Sequence, residues 1–141
     1  MLDSIPFLQA QSRQFIRQYN KSDIIFEEGN HGAEMYIICA GRIRLVTRSP
    51  GREVELATIG PGEFFGEMAL VDSSPRSATA IADEDGTRLV ALDQAKFLYL
   101  VSQQPAFALT IMHGLCRRIR ERWVLYHRMQ NGEGEKGEEQ T

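Results

Sequence analysis

At 141 residues, 43% apolar and 25% charged, with a formal net charge of −3, the chain has the size and balance of one folded domain. No stretch approaches the roughly 18–20 apolar residues of a membrane-crossing helix, and the opening MLDSIPFLQAQSRQ lacks the basic-then-apolar order of a secretion signal. Cys39 and Cys116 are isolated in apolar surroundings, and the three histidines show no ligand spacing. Buried reduced thiols, no metal site, no cofactor and a cytoplasmic location are therefore expected.

In chain order, Asp3 or Ser4 as a cap, Pro6 at a first helical position, and Phe15, Ile16 and Tyr19 on one face predict a helix over 3–19. Short β-branched or alternating segments follow around 23–26, 34–40, 42–48, 53–59, 77–82 and 87–92. Turn residues separate them, such as Ala-Gly at 40–41, Ser-Pro-Gly at 49–51 and Gly-Pro-Gly at 60–62, which predicts an antiparallel roll over 22–93. Asp93 is placed to cap a helix over about 94–103, and Pro105 opens a longer one to about 129. The expected fold is mostly β with flanking α: N-terminal helix, antiparallel β-roll or jelly roll, two C-terminal helices, all within one domain over 1–130. Residues 131–141 carry four Glu, one Lys and no apolar side chain, and read as a disordered acidic tail.

The stretch GEFFGEMALVDSSPRSATA at 62–80 is the one that points to chemistry. Gly66 lets the backbone turn tightly or lie close to a ligand. Residues 67–70 can form a helical turn whose first N–H groups attract an anion. Arg76, between Pro75 and a strand-like run, offers a planar fork matched to a phosphate and charged at any physiological pH. A carboxylate, an amide cradle and a guanidinium on one loop suit a phosphate fused to a ribose. The same spacing is also compatible with Glu67 and Arg76 pairing across an exposed loop, a contact of about 0–1 kcal/mol.

Phe65-Gly66-Glu67-Met68-Ala69-Leu70 followed by Pro75-Arg76-Ser77-Ala78-Thr79 resembles the phosphate-binding cassette of the cyclic nucleotide-binding domain family, F-G-E-x-A-L then P-R-x-A-T. Upstream, Ile25-Phe26-Glu27-Glu28-Gly29, Met35-Tyr36-Ile37-Ile38 and Gly41 fall where family members carry similar residues, and the resemblance covers about residues 5–128. It implies that family's double-stranded β-helix. It also implies a phosphate and ribose site of Gly66, Glu67, Met68, Ala69, Arg76 and Ser77. There Glu67 would accept the ribose 2′-hydroxyl, Arg76 would grip the cyclic phosphate with the Ala69 N–H and Ser77, and Gly66 would admit the sugar. Leu45, Leu56, Ile59 and Phe65 would wall the base, although plain core packing is the favoured reading of Leu45, Leu56 and Ile59 taken singly. The residue after the arginine influences base choice in the family; Ser77 fits either base, with cyclic AMP the expected ligand and cyclic GMP the alternative. The chain departs from the family at Lys21-Ser22-Asp23, where Ser22 replaces a turn glycine.

In the last helix Leu109, Met112, Cys116, Ile119, Trp123 and Tyr126 recur at a/d spacing over less than three heptads. This stripe suits either packing on the chain's own roll or a homodimer through helix 105–129, as in family members that are bacterial transcription factors. The resemblance also places Arg122 or Trp123 where a late residue closes over the purine, with core or dimer seam the alternative for Trp123. The run Arg117–Arg122 reads as a solvated helix face, so no direct nucleic-acid binding is expected. No catalytic constellation is recognisable, so a receptor acting on a separate effector is expected over an enzyme or a vestigial-pocket interaction module. Met1 and the fading tail suit a complete small protein.

Overall fold

Short apolar-rich strands build two four-stranded antiparallel sheets in the computed structural model, which describes residues 16–130. The strands are β1 (Ile16–Tyr19), β2 (Ile24–Phe26), β3 (Met35–Ala40), β4 (Ile43–Ser49), β5 (Arg52–Ile59), β6 (Phe64–Phe65), β7 (Thr79–Ala82) and β8 (Thr87–Leu92). One sheet runs β1-β8-β3-β6 and the other β2-β7-β4-β5. Three helices complete the described chain: α1 (Glu67–Asp72), α2 (Gln94–Gln103) and α3 (Ala106–Gln130). The chain divides into two compact units, Met1–Phe107 and Ala108–Thr141.

Every second residue of each central strand turns into the space between the sheets. Tyr36 and Ile38 of β3 and Leu89 and Ala91 of β8 meet Ile43 of β4 and Ala80 and Ala82 of β7 in one buried cluster. Burying a side chain of the size of Ile38 or Leu89 stabilises the roll by about 1.5–3 kcal/mol. The first sheet is buried on its other face too, through Met35, Ile37, Phe64, Val90 and Leu92. This explains why β3 and β8 read as continuous apolar runs.

Residues 16–19 depart from expectation: they form strand β1 instead of the end of the N-terminal helix, pairing Ile16 with Val90 and Tyr19 with Thr87. The three-residue spacing of Ile16 and Tyr19 suits a helix locally. The open edge of β8 wins because it satisfies the segment's backbone groups along a whole ladder. The rest of that expected helix, 3–15, and the acidic tail, 131–141, lie outside the described residues. Cys39 is half-buried and its thiol pKa is pushed up by burial, but Cys116 is exposed, against the expectation of two buried thiols. It shares α3 with Leu109, Met112, Ile119, Trp123 and Tyr126, each more than half exposed. The apolar spacing that suggested burial thus marks an exposed stripe.

Ser22, in the turn before β2, holds a left-handed backbone at φ 79, the conformation that a glycine would supply there. Its N–H donates to the Ala82 carbonyl at 2.7 Å. Gly66 at φ 78 ends β6 and starts α1, and Ser73 at φ 60 ends that helix, its N–H donating to the Ala69 carbonyl. At the start of α2 the Asp93 carboxylate accepts from the Lys96 N–H at 2.9 Å, an N-cap contact.

Candidate functional site

The backbone of Arg76 is fixed before its side chain does anything. Its N–H donates to the Asn30 carbonyl and its own carbonyl accepts from the Gly29 N–H, both at 2.8 Å. The Glu28 N–H donates to Thr79 Oγ1 at 2.9 Å, continuing the same tie between the loop after β2 and the strand after the cassette. Arg76 therefore leaves the chain at a defined point, beside the turn at Gly66.

The side chain then goes inward. Arg76 is only 6% exposed. Nη1 donates to the Gly66 carbonyl at 3.2 Å, and Nε is buried without a partner. The guanidinium lies over the Phe26 ring, Cζ 4.1 Å from its centroid, with Tyr36 at 5.8 Å. Among the described residues no ion pair reaches it. Burial holds its pKa below the usual arginine value, opposed by Tyr36 and Glu34. A buried charge with an unpaired donor costs on the order of 1–3 kcal/mol or more. Such a group invites an anion.

The wall behind it is a polar network. Glu34 accepts from the Tyr36 hydroxyl at 3.1 Å and from both terminal nitrogens of Arg17, at 3.1 and 2.8 Å. Burial and the Glu34 carboxylate push the Tyr36 phenol up to about 12. Tyr36 in turn stacks on Phe65, centroids 5.2 Å apart, and Phe26 touches both rings.

The expected residues divide into three groups. Gly66 and Arg76 are in direct contact, with Glu67 half-buried at the first position of α1, Met68 48% exposed, Ala69 buried and Ser77 exposed beside the arginine. Of the apolar set, Leu45 and Ile59 are half-buried against the core and Phe65 is buried within it. Leu56 is 57% exposed, because the register passes from Leu45↔Ala57 to Val46↔Glu55 and leaves it as the extra residue of a bulge. Arg122 and Trp123 stand exposed on α3, in the second unit, where Trp123 stacks on Tyr126 at 5.8 Å and meets His127 edge-on at 4.3 Å. Sequence reasoning gave no role to Phe26, Gly32, Glu34 or Tyr36. Phe26 and Tyr36 stood in the matched segments, but nothing local signals that they meet residue 76.

A model of the cyclic nucleotide-binding domain matches residues 16–104. The chain belongs to the cyclic nucleotide-binding domain family. The cyclic AMP receptor protein of Thermus thermophilus is 42% identical over 74% of this chain and 49% of its own length. Human cGMP-dependent protein kinase 2 is 31% identical over 58% of this chain and 11% of its own. Among solved structures, the Thermus thermophilus catabolite activator protein superposes with a TM-score of 0.76 at 35% identity, covering 91% of this chain and 61% of that one. The chain thus spans about half the length of the first of these relatives. It is a cyclic nucleotide-binding domain related to both cyclic AMP and cyclic GMP receptors, with the antiparallel double-sheet fold of that family. Among the described residues no helix is long and apolar enough to cross a membrane.

Proposed function

We propose that this domain is a non-catalytic receptor that binds cyclic AMP in preference to cyclic GMP. The observation that carries the reading is Arg76: 6% exposed, Nε unpartnered, beside the Gly66 turn. A monoanionic cyclic phosphate supplies what that guanidinium lacks. In this reading Arg76 takes the phosphate oxygens with the Ala69 N–H and Ser77, and Glu67 accepts the ribose 2′-hydroxyl. Gly66 and Met68 border the sugar, and Leu45, Leu56 and Ile59, backed by Phe65, wall the base. The exposed Leu56 supports this, since it offers an apolar surface to a purine. Arg122 or Trp123 closes over the ligand, and α3 carries the signal. Ligand shifts that helix only by its differential affinity for the closed state.

The preference for cyclic AMP rests on the higher identity to a relative named for it, 42% against 31%. The output belongs to a separate effector in a cytoplasmic setting, without direct nucleic-acid binding by this domain, and the exposed stripe of α3 supports a homodimer. Thermal-shift titrations with cyclic AMP, cyclic GMP and 5′-AMP test the receptor reading. Ligand at about a hundred times its Kd adds roughly 2.7 kcal/mol, several degrees for a domain of this size. A shift with the cyclic nucleotides but not 5′-AMP is expected, and their ranking gives the base. No shift in a chain that melts cooperatively would overturn the reading in favour of a protein-interaction module.

A further inference from the structure

A buried guanidinium needs something to hold it, and the usual holder is a carboxylate. Here the described residues provide no ion pair for Arg76. Its face lies on Phe26 with Cζ 4.1 Å from the ring centroid, well inside the roughly 6 Å range of a cation–π contact. Its flank fills the place a side chain would take at Gly32, where an added Cβ would stand 2.5 Å from Nη2 and 2.8 Å from Nε. Phe26 is itself held by Tyr36 and Phe65, with centroids 5.9 and 5.8 Å away.

We infer that Phe26 is a positioning residue for the anion site, a shelf that keeps the Arg76 guanidinium desolvated and in place before ligand arrives. The inference rests on the reading that Arg76 binds the cyclic phosphate. Its physical basis is that a ring face attracts a cation without consuming an N–H donor. A carboxylate in the same place would satisfy the arginine and compete with the incoming phosphate. The ring stabilises the charge and leaves its anion demand unmet, as the unpartnered Nε shows. The two glycines leave room for this arrangement: Gly66 offers its carbonyl to Nη1, and Gly32 leaves space for the flat group.

The test is calorimetric titration of the full chain with cyclic AMP and with cyclic GMP, for wild type, Phe26→Leu, Phe26→Tyr and a chain carrying trifluorinated phenylalanine at position 26. The fluorinated ring keeps nearly the same volume but loses its negative face. Phe26→Leu is expected to weaken the tighter ligand roughly 3- to 30-fold. Phe26→Tyr should stay within about threefold of wild type, with the fluorinated chain between tyrosine and leucine. Should Phe26→Leu fail to melt cooperatively, the fluorinated chain decides alone. Wild-type affinity in the fluorinated chain would reduce Phe26 to plain packing and overturn the shelf, as would tighter binding by Phe26→Leu. If the wild-type chain binds neither nucleotide, the receptor reading falls and takes the shelf with it. If it binds and the fluorinated chain binds equally well, the shelf alone is lost.

Discussion

Arg76 and Gly66, ten residues apart in sequence, meet through a hydrogen bond from Nη1 to the Gly66 carbonyl at 3.2 Å. This closes the cassette on itself: the residue that starts α1 also holds the cation that follows the helix. Fixing one partner therefore places the other.

Truncation at this contact separates binding from folding. Arg76→Ala removes one hydrogen bond and a ring contact, but it also removes a buried charge whose Nε has no partner. The opposing changes leave the melting temperature of the ligand-free chain within a few degrees of wild type, since about 1 kcal/mol moves Tm only several degrees in a domain of this size. Affinity for the cyclic nucleotide falls about a hundredfold or more, on the order of 3 kcal/mol. Paired melting and titration of the variant measure both. Unchanged affinity would remove Arg76 from the site.

Alkaline pH should report on Tyr36. Its phenol is pushed from 10 up to about 12, so the folded chain holds that proton more tightly than the unfolded one. The resulting stability is complete below pH 10 and is lost as pH rises toward 12, on the order of 2 kcal/mol in all. Tyr36→Phe loses the hydroxyl's hydrogen bond to Glu34, costing about 1 kcal/mol at neutral pH, but it also loses this alkaline decline. Urea denaturation at stepped pH should show the wild-type advantage shrinking above pH 10 and reversing by about pH 11. Parallel curves for the two chains would show that Tyr36 does not titrate as described.

Ser22 stands at φ 79, where an L side chain costs about 1–2 kcal/mol relative to the right-handed region. Ser22→Gly relieves that cost and gives some back through the greater freedom of the unfolded chain. The net expectation is a gain of about 0.5–1 kcal/mol, measured as a higher urea midpoint at unchanged slope. A loss of stability would mean that the serine side chain contributes more to the turn than its backbone costs.

The parts of the fold legible in the sequence are those that local chemistry decides. Asp93 announced the start of α2 because a carboxylate before an apolar run has one good use, and it does accept from the Lys96 N–H. The antiparallel roll was legible through short β-branched or alternating segments set between regularly spaced turn residues. Strand β1 was misread because Ile16 and Tyr19 satisfy a helical spacing, and only the edge of β8, some seventy residues on, argues otherwise. Strand β6 is two residues long, too short to show a period. The prominence of Arg76 was legible, as a guanidinium set between Pro75 and a strand-like run. Its surroundings were not: Phe26 and Gly32 reach it through the fold, and neither carries a local mark. Leu56 owes its exposure to a bulge that depends on how β4 and β5 slip past one another.

Strand β1 pairs with β8 in antiparallel fashion, Ile16 opposite Val90 and Tyr19 opposite Thr87. The entry to β1 and the exit from β8 therefore sit at the same end of one ladder. A pull applied between whatever precedes Ile16 and whatever follows Leu92 loads this ladder as a zipper, its bonds yielding one after another instead of sharing the force. Traction across these two strands therefore opens the first sheet from its edge, while β3 remains bonded to β8.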